Sequence, residues 1–139
     1  MPPRLLLTSD PDLAIRQQLL AGLQDYNRQQ VPGESQLLAV LLLDEQDAPI
    51  GGLWGRTYYD WLFVELLFVP EQLRGQDWGA RLLQEAEQAA HQRGCQHAHL
   101  DTFGFQAKDF YVKQGYTVFG QLDNYPTGFT RYFLRKALS

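Results

Sequence analysis

Trp61-Leu62-Phe63-Val64-Glu65-Leu66-Leu67-Phe68-Val69-Pro70, running on through Glu71-Gln72-Leu73 into Arg74-Gly75-Gln76-Asp77-Trp78-Gly79-Ala80, is the stretch that decides the fold. From Trp61 to Val69 both alternating faces are apolar, which reads as a central strand covered on both sides. Pro70 ends it. A connection over Glu71 to Gln76 then opens a helix over Asp77 to Arg93, with Leu82, Leu83, Ala86, Ala89 and Ala90 as its buried stripe. Gly94 is placed to terminate that helix in a left-handed turn. His97 to Thr102 reads as the next strand. A strand, a helix and a second strand in that order imply a parallel pair joined by a right-handed crossover.

Working outward, Leu37 to Leu43 and Ile50 to Tyr58 read as strands that join Trp61 to Val69 in an antiparallel meander. Arg4 to Thr8 reads as a short first strand. Ser9 or Asp10 caps the following helix, with Pro11 in its first turn. Ile15, Leu19, Leu23 and Tyr26 form that helix's apolar stripe, and Gln29 to Gln36 is a loop. Towards the other end, Ala107 to Gln114 is a short helix. Thr117 to Leu122 and Thr130 to Lys136 are strands, linked by the turn-rich segment Asp123 to Gly128. The sum is an α/β (mixed α+β) fold, a mixed sheet with helices on both faces.

The chain's 139 residues suit one domain spanning 1–139. A formal net charge of -4 argues against a nucleic-acid partner, which would need a basic face. The single cysteine, Cys95, excludes an intrachain disulfide framework and reads as a small buried residue. The apolar runs are too short to span a bilayer, and no signal-peptide pattern opens the chain, so a cytoplasmic protein without a membrane partner is expected.

Several positions carry chemistry. The turn from Arg74 to Ala80 presents backbone amides and a helix dipole, with small residues Gly75, Gly79 and Ala80 allowing close approach, and so reads as an anion site. Its bland alternative is a tightly packed strand-to-helix turn. Glu65 is a lone carboxylate in an apolar strand. Desolvation would raise its pKa and suit it to a general base, unless it is ion-paired with an arginine or reaches the sheet edge. His97, His99 and Asp101 share one face of their strand. With no further histidines downstream, and His91 the only other one, they line an acceptor cleft or meet a neighbouring loop rather than form a metal site, and Asp101 can bind a cationic amine or act as an alternative base. Trp54, Tyr58, Tyr59 and Trp61 surround a hairpin turn and form either a pocket wall or a dimer face. Tyr125, in the last turn-rich link, is a second candidate acceptor wall.

Two stretches together resemble the GCN5-related N-acetyltransferase (GNAT) superfamily. The first is Arg74-Gly75-Gln76-Asp77-Trp78-Gly79 with Leu82-Leu83, set against that family's Arg/Gln-x-x-Gly-x-Gly/Ala cofactor motif. Asp77 stands where the middle glycine is usual; an aspartate there can also cap the helix. The second is Ala107-Lys108-Asp109-Phe110-Tyr111-Val112-Lys113-Gln114-Gly115-Tyr116, similar to the family's late helix, with Gly104 in place of an upstream asparagine. The resemblance implies a splayed mixed sheet of six or seven strands with about four helices. It implies an acetyl-CoA-dependent N-acetyltransferase that needs no metal and acts on a small cationic amine or a lysine side chain. Leu67, Phe68 and Val69 would hold the pantetheine arm, Arg74 to Ala80 the pyrophosphate, and Phe110 the cofactor's flank. Glu65 would be the base and Tyr111 the acid that protonates the departing thiolate. Asp101, His99 and Tyr125 are the candidate acceptor contacts, and a homodimer is a further expectation. The other readings are a non-catalytic acyl-CoA-binding module and a protein-interaction module on the same fold.

Overall fold

The computed structural model describes residues 1–139. The chain forms two units, residues 1–33 and 34–139.

The first unit holds helix α1, Leu13–Gln30. Its cap is Asp12, whose side chain accepts the amide of Ala14 at 2.9 Å. The sequence pointed to Ser9 or Asp10, but Asp10 donates its own amide to Thr8 Oγ1 at 3.1 Å, and the helix starts after Pro11 rather than on it. Residues 4–8 form no strand, so the expected first strand is absent, and the sheet has six strands, within the six or seven expected. A run of three leucines has β-propensity, but a strand exists only where a neighbour supplies a ladder.

The second unit is built on strands β1 (Gln36–Leu43), β2 (Pro49–Tyr58), β3 (Trp61–Phe68), β4 (His97–Phe103), β5 (Thr117–Asp123) and β6 (Thr130–Ala137). Helices α2 (Trp78–Gln92) and α3 (Lys108–Lys113), with a 3₁₀ turn at Glu71–Leu73, complete it. The strand order is β1-β2-β3-β4-β6-β5. β1, β2 and β3 are the expected meander, and β3 and β4 the expected parallel pair. The molecule has three α-helices where about four were expected.

One core serves this unit. Leu53, Leu62, Leu83, Leu100 and Leu134 are its largest fully buried side chains, and Ala86, Ala90 and Ala98 let α2 lie close to the strands. Each such leucine contributes about 1.5–3 kcal/mol relative to exposure. On β3 only Leu62 and Val64 are buried; Glu65, Leu66 and Phe68 are exposed, so the strand is not covered on both sides along its length.

Both core helices end in the same way. Gly94 donates to His91 O at 2.9 Å and Cys95 to Ala90 O at 2.9 Å, the paired bonds of a Schellman motif. Gly115 and Tyr116 repeat them at the end of α3, onto Val112 O and Tyr111 O, each at 3.0 Å.

Candidate active site

The parallel ladder between β3 and β4 runs from Trp61↔His97 to Val64↔Leu100 and stops. Both strands continue, β3 to Phe68 and β4 to Phe103. A wedge therefore opens at Glu65 on one side and Asp101 on the other. Its walls present peptide edges that do not pair with each other. An extended, amide-bearing ligand can bond to such an edge as an added strand would.

A bulge sits at the apex of the wedge. Trp54 pairs with Leu66 but Gly55 pairs with Val64, so Glu65 is the extra residue on β3. Bulges re-aim side chains. Glu65 is not enclosed in apolar surroundings, as its neighbours in sequence suggested. Its side chain is 42% exposed and its carboxylate lies 3.5 Å from Arg56 Nη2. The ion-paired alternative is the one found.

Beyond the wedge, the turn into α2 has an irregular backbone. Gly75 has φ 78° and Asp77 φ 67° with ψ 12°. Asp77 thus adopts the left-handed conformation that glycine takes most easily, and its side chain makes no capping bond to α2. The expectation that it caps the helix is corrected: a residue with left-handed backbone does not have the extended geometry of a side-chain cap. The first amides of α2 have no partner inside the helix. Arg74 folds back to donate from Nε to Val69 O at 3.0 Å, and Arg81 lies 4.3 Å from the Trp78 ring centroid. Gly79 is closely packed: a Cβ there would lie 3.3 Å from Phe110 Cζ, so that ring would have to give by a few tenths of an ångström, and 4.0 Å from Val69 Cγ2. The end of β3, the start of α2 and α3 therefore meet at Gly79. Open backbone, free amides and nearby guanidinium groups fit a pyrophosphate-bearing cofactor such as acetyl-CoA. The Asp77 carboxylate is the one group here of the wrong sign.

Tyr111 on α3 is 7% exposed and stands edge-on to Phe110 and Tyr116. Burial first, and then the charge of Asp101, push its hydroxyl up to about 12. The phenol is fully protonated at neutral pH and available as a proton donor. Tyr116 is raised further, by burial and by Glu87, which accepts its hydroxyl at 2.8 Å and Lys136 Nζ at 2.7 Å.

The acceptor candidates separate into two groups. Asp101 and Tyr125 come together through Arg131, a residue that no motif or periodicity singles out. Arg131 donates to Asp101 Oδ1 from Nε at 3.0 Å and from Nη2 at 2.5 Å. It also lies 4.9 Å from the Tyr125 ring centroid and 5.1 Å from that of Phe103. The signal was the register, Phe103↔Arg131 and Asp101↔Phe133, which places Asp101 diagonally across from Arg131. His99 instead stacks on Phe63 at 4.8 Å and meets Trp61 edge-on at 5.6 Å. Burial lowers its pKa, with Asp101 opposing, so it is a neutral packed ring. His97 stacks on Trp61 at 4.6 Å. No group of three or more His, Cys, Asp or Glu side chains is placed to hold a metal.

Trp54, Tyr58, Tyr59 and Trp61 do not make one wall. Tyr58 and Tyr59 stack on each other at 4.0 Å, and Trp61 turns to the histidines. Cys95 is 3% exposed, and burial raises its thiol pKa, as a packed cysteine requires. A depression of about 440 Å³ lies between α2 and the end of β6, far along the helix from the wedge. Its Glu87 is already engaged by Tyr116 and Lys136.

The family model of the acetyltransferase (GNAT) family matches residues 9–116. The chain is 37% identical over 130 residues to acetyltransferase Atu2258 of Agrobacterium fabrum, covering 92% of this chain and 91% of that one. It is 36% identical over 104 residues to blasticidin-S acetyltransferase of Streptomyces morookaense, covering 74% and 76%. A crystal structure from Agrobacterium tumefaciens superposes with TM-score 0.90 at 31% identity, over 98% of this chain and 100% of that one.

Proposed function

The chain belongs to the acetyltransferase (GNAT) family, and from that premise we propose that it acetylates a primary amine by direct attack in a ternary complex. The observation that carries this reading is the wedge, with Glu65 and Asp101 at its apex and Tyr111 within electrostatic reach of Asp101. Acetyl-CoA supplies the activated acetyl group. Backbone groups of Leu67, Phe68 and Val69 hold the pantetheine arm against the open edge of β3. Amides from Gly75 to Ala80, with the Arg74 charge, hold the pyrophosphate, and Phe110 closes the flank beside Gly79.

Glu65 accepts the proton of the acceptor amine. Its pairing with Arg56 orients the carboxylate, and its exposure at the bulge gives the proton a path to solvent. A backbone N–H of the Leu67–Phe68 segment donates to the oxygen that gains charge as the carbonyl is attacked. Tyr111 gives its proton to the departing sulfur. Asp101 draws in the cationic form of the acceptor, with Tyr125 beside it; His99, packed on Phe63 and Trp61, takes no acceptor contact. The relative named for blasticidin-S supports a small-molecule acceptor over a protein lysine.

Calorimetric titration with acetyl-CoA, followed by release of CoA thiol with a panel of primary amines, tests the reading. Micromolar binding and amine-dependent thiol release are expected. Tyr111→Phe should lower kcat by about 100-fold, the range for loss of a positioned proton donor. It should leave acetyl-CoA affinity within about threefold, since only the transition-state contact is removed. An unchanged kcat removes Tyr111 from the proton path. Absence of acetyl-CoA binding at millimolar concentration overturns the transferase reading and leaves an interaction module.

A further inference from the structure

Past Asp101 the wedge ends in a cluster of rings. Phe103 stacks on Phe105 at 5.3 Å and lies 5.5 Å from Tyr125; Phe105 meets Phe129 edge-on at 5.2 Å. Phe105, Tyr125 and Phe129 are 56%, 44% and 46% exposed. The loops that carry these rings are held by hydrogen bonds. Gln106 Oε1 accepts the Phe103 amide at 2.7 Å and the Thr102 hydroxyl at 3.1 Å. Gly104 donates to Thr130 O at 2.7 Å, and a Cβ at Gly104 would meet that oxygen at 3.1 Å. Tyr125 donates to Phe129 O at 3.0 Å and Phe129 to Pro126 O at 2.9 Å. The two loops that carry the rings are thus tied internally and to each other. A ligand gains contact there without first ordering the loops.

The charges around the rings select among amines. Arg131 lies over Phe103 and Tyr125, so a second cation stacked on those rings would meet like charge. A neutral flat ring meets no such penalty. Both bonds from Arg131 fall on Asp101 Oδ1. Oδ2, on a side chain 24% exposed, remains for an ammonium group. Carboxylate and bare rings are therefore adjacent.

We propose that the acceptor is an arylalkylamine, a primary amine carried on a short chain from a flat unsaturated ring, with the ring on Phe105, Phe129 and Tyr125 and the amine at Asp101. The proposal rests on the amine-acetylation reading and narrows its substrate class away from aliphatic polyamines. Arg131 is a positioning residue: it fixes which Asp101 oxygen is free.

Phenethylamine and hexylamine carry the same charge and similar apolar bulk, and differ in the ring. Calorimetry on the CoA-loaded protein should give phenethylamine a Kd about three- to tenfold lower, the value of a ring–ring contact beyond its buried area. In the Phe105→Leu/Phe129→Leu variant, which keeps apolar volume, the preference should fall below about twofold, with melting temperature as the check on folding. Equal affinities in the wild type, no binding of either amine, or a preference that survives in the variant would each overturn the proposal. Thiol release with acetyl-CoA is read separately. A ring preference without any release sinks the transferase reading, while release that ignores the ring sinks only the acceptor class.

Discussion

Asp77 is the residue at which this chain departs from its family's glycine, and the structure explains why the position is demanding. Its φ of 67° is left-handed, a region that an aspartate enters at some cost and a glycine freely. Its carboxylate also stands where a pyrophosphate is expected. Two unit charges several ångströms apart in water interact by roughly 0.6–1 kcal/mol. Asp77→Gly should therefore tighten acetyl-CoA by about three- to fivefold at low salt, and the gain should shrink as ionic strength rises. Calorimetric titrations at two salt concentrations read this out. An unchanged Kd would place the carboxylate in solvent, clear of the phosphates. The same scale shows what a sequence hides. The irregular turn from Arg74 to Gly79 was legible because Gly75 and Gly79 act on the backbone where they stand, whereas Tyr111 stood out only through the family resemblance. Glu65 looked buried because its neighbours are apolar, yet a bulge set by pairing with β2 turns it outwards to Arg56. Arg131 was invisible because its partner Asp101 is thirty residues away and meets it only through the β4–β6 register.

Among the elements, the helices and strands of residues 34–139 followed from periodicity and punctuation, because Pro70, Gly94 and Gly115 act within a few residues of where they sit. The failures were at positions where a partner decides. Residues 4–8 have strand composition but no ladder, and α1 takes its cap from Asp12 because that side chain reaches the Ala14 amide. The wedge was expected only by resemblance; nothing in His97 to Phe103 announces that pairing with β3 ends at Leu100. The end of α2 gives a direct test of one punctuation mark. Gly94 has φ 93°, and a Cβ there would meet nothing within 4 Å. Gly94→Ala is thus a purely conformational perturbation, expected to cost about 1–2 kcal/mol with no clash. Gly94→Asn should cost less, since asparagine enters the left-handed region more readily. Urea midpoints of the two variants, at unchanged m-value, decide the matter; equal losses would point to a contact rather than to φ.

On the scale of the whole molecule, the two buried phenols make stability depend on alkaline pH. Tyr111 and Tyr116 both have hydroxyls whose pKa is raised by burial, Tyr111 to about 12 and Tyr116 further through Glu87. An unfolded chain releases these protons near pH 10. Below that value both states hold them, and the contribution of the shifts is fully present. Above it the folded protein still holds protons that the unfolded chain has lost, so the unfolded state binds fewer and stability falls as pH rises. The slope is about 1.4 kcal/mol per pH unit for each tyrosine inside its window. For Tyr111 that window lies between about 10 and about 12. Wild type and Tyr111→Phe should then lose stability in parallel between pH 8 and 9.5 and diverge above 10, the variant falling less steeply. Urea unfolding of the pair at pH 9, 10 and 11 measures the difference directly, and lysine titration cancels between them. Parallel loss through pH 11 would mean that the Tyr111 hydroxyl ionises as freely in the folded protein as in water. Such a phenol would still be protonated at neutral pH and able to donate, so that outcome would remove the burial shift and not the proposed proton transfer.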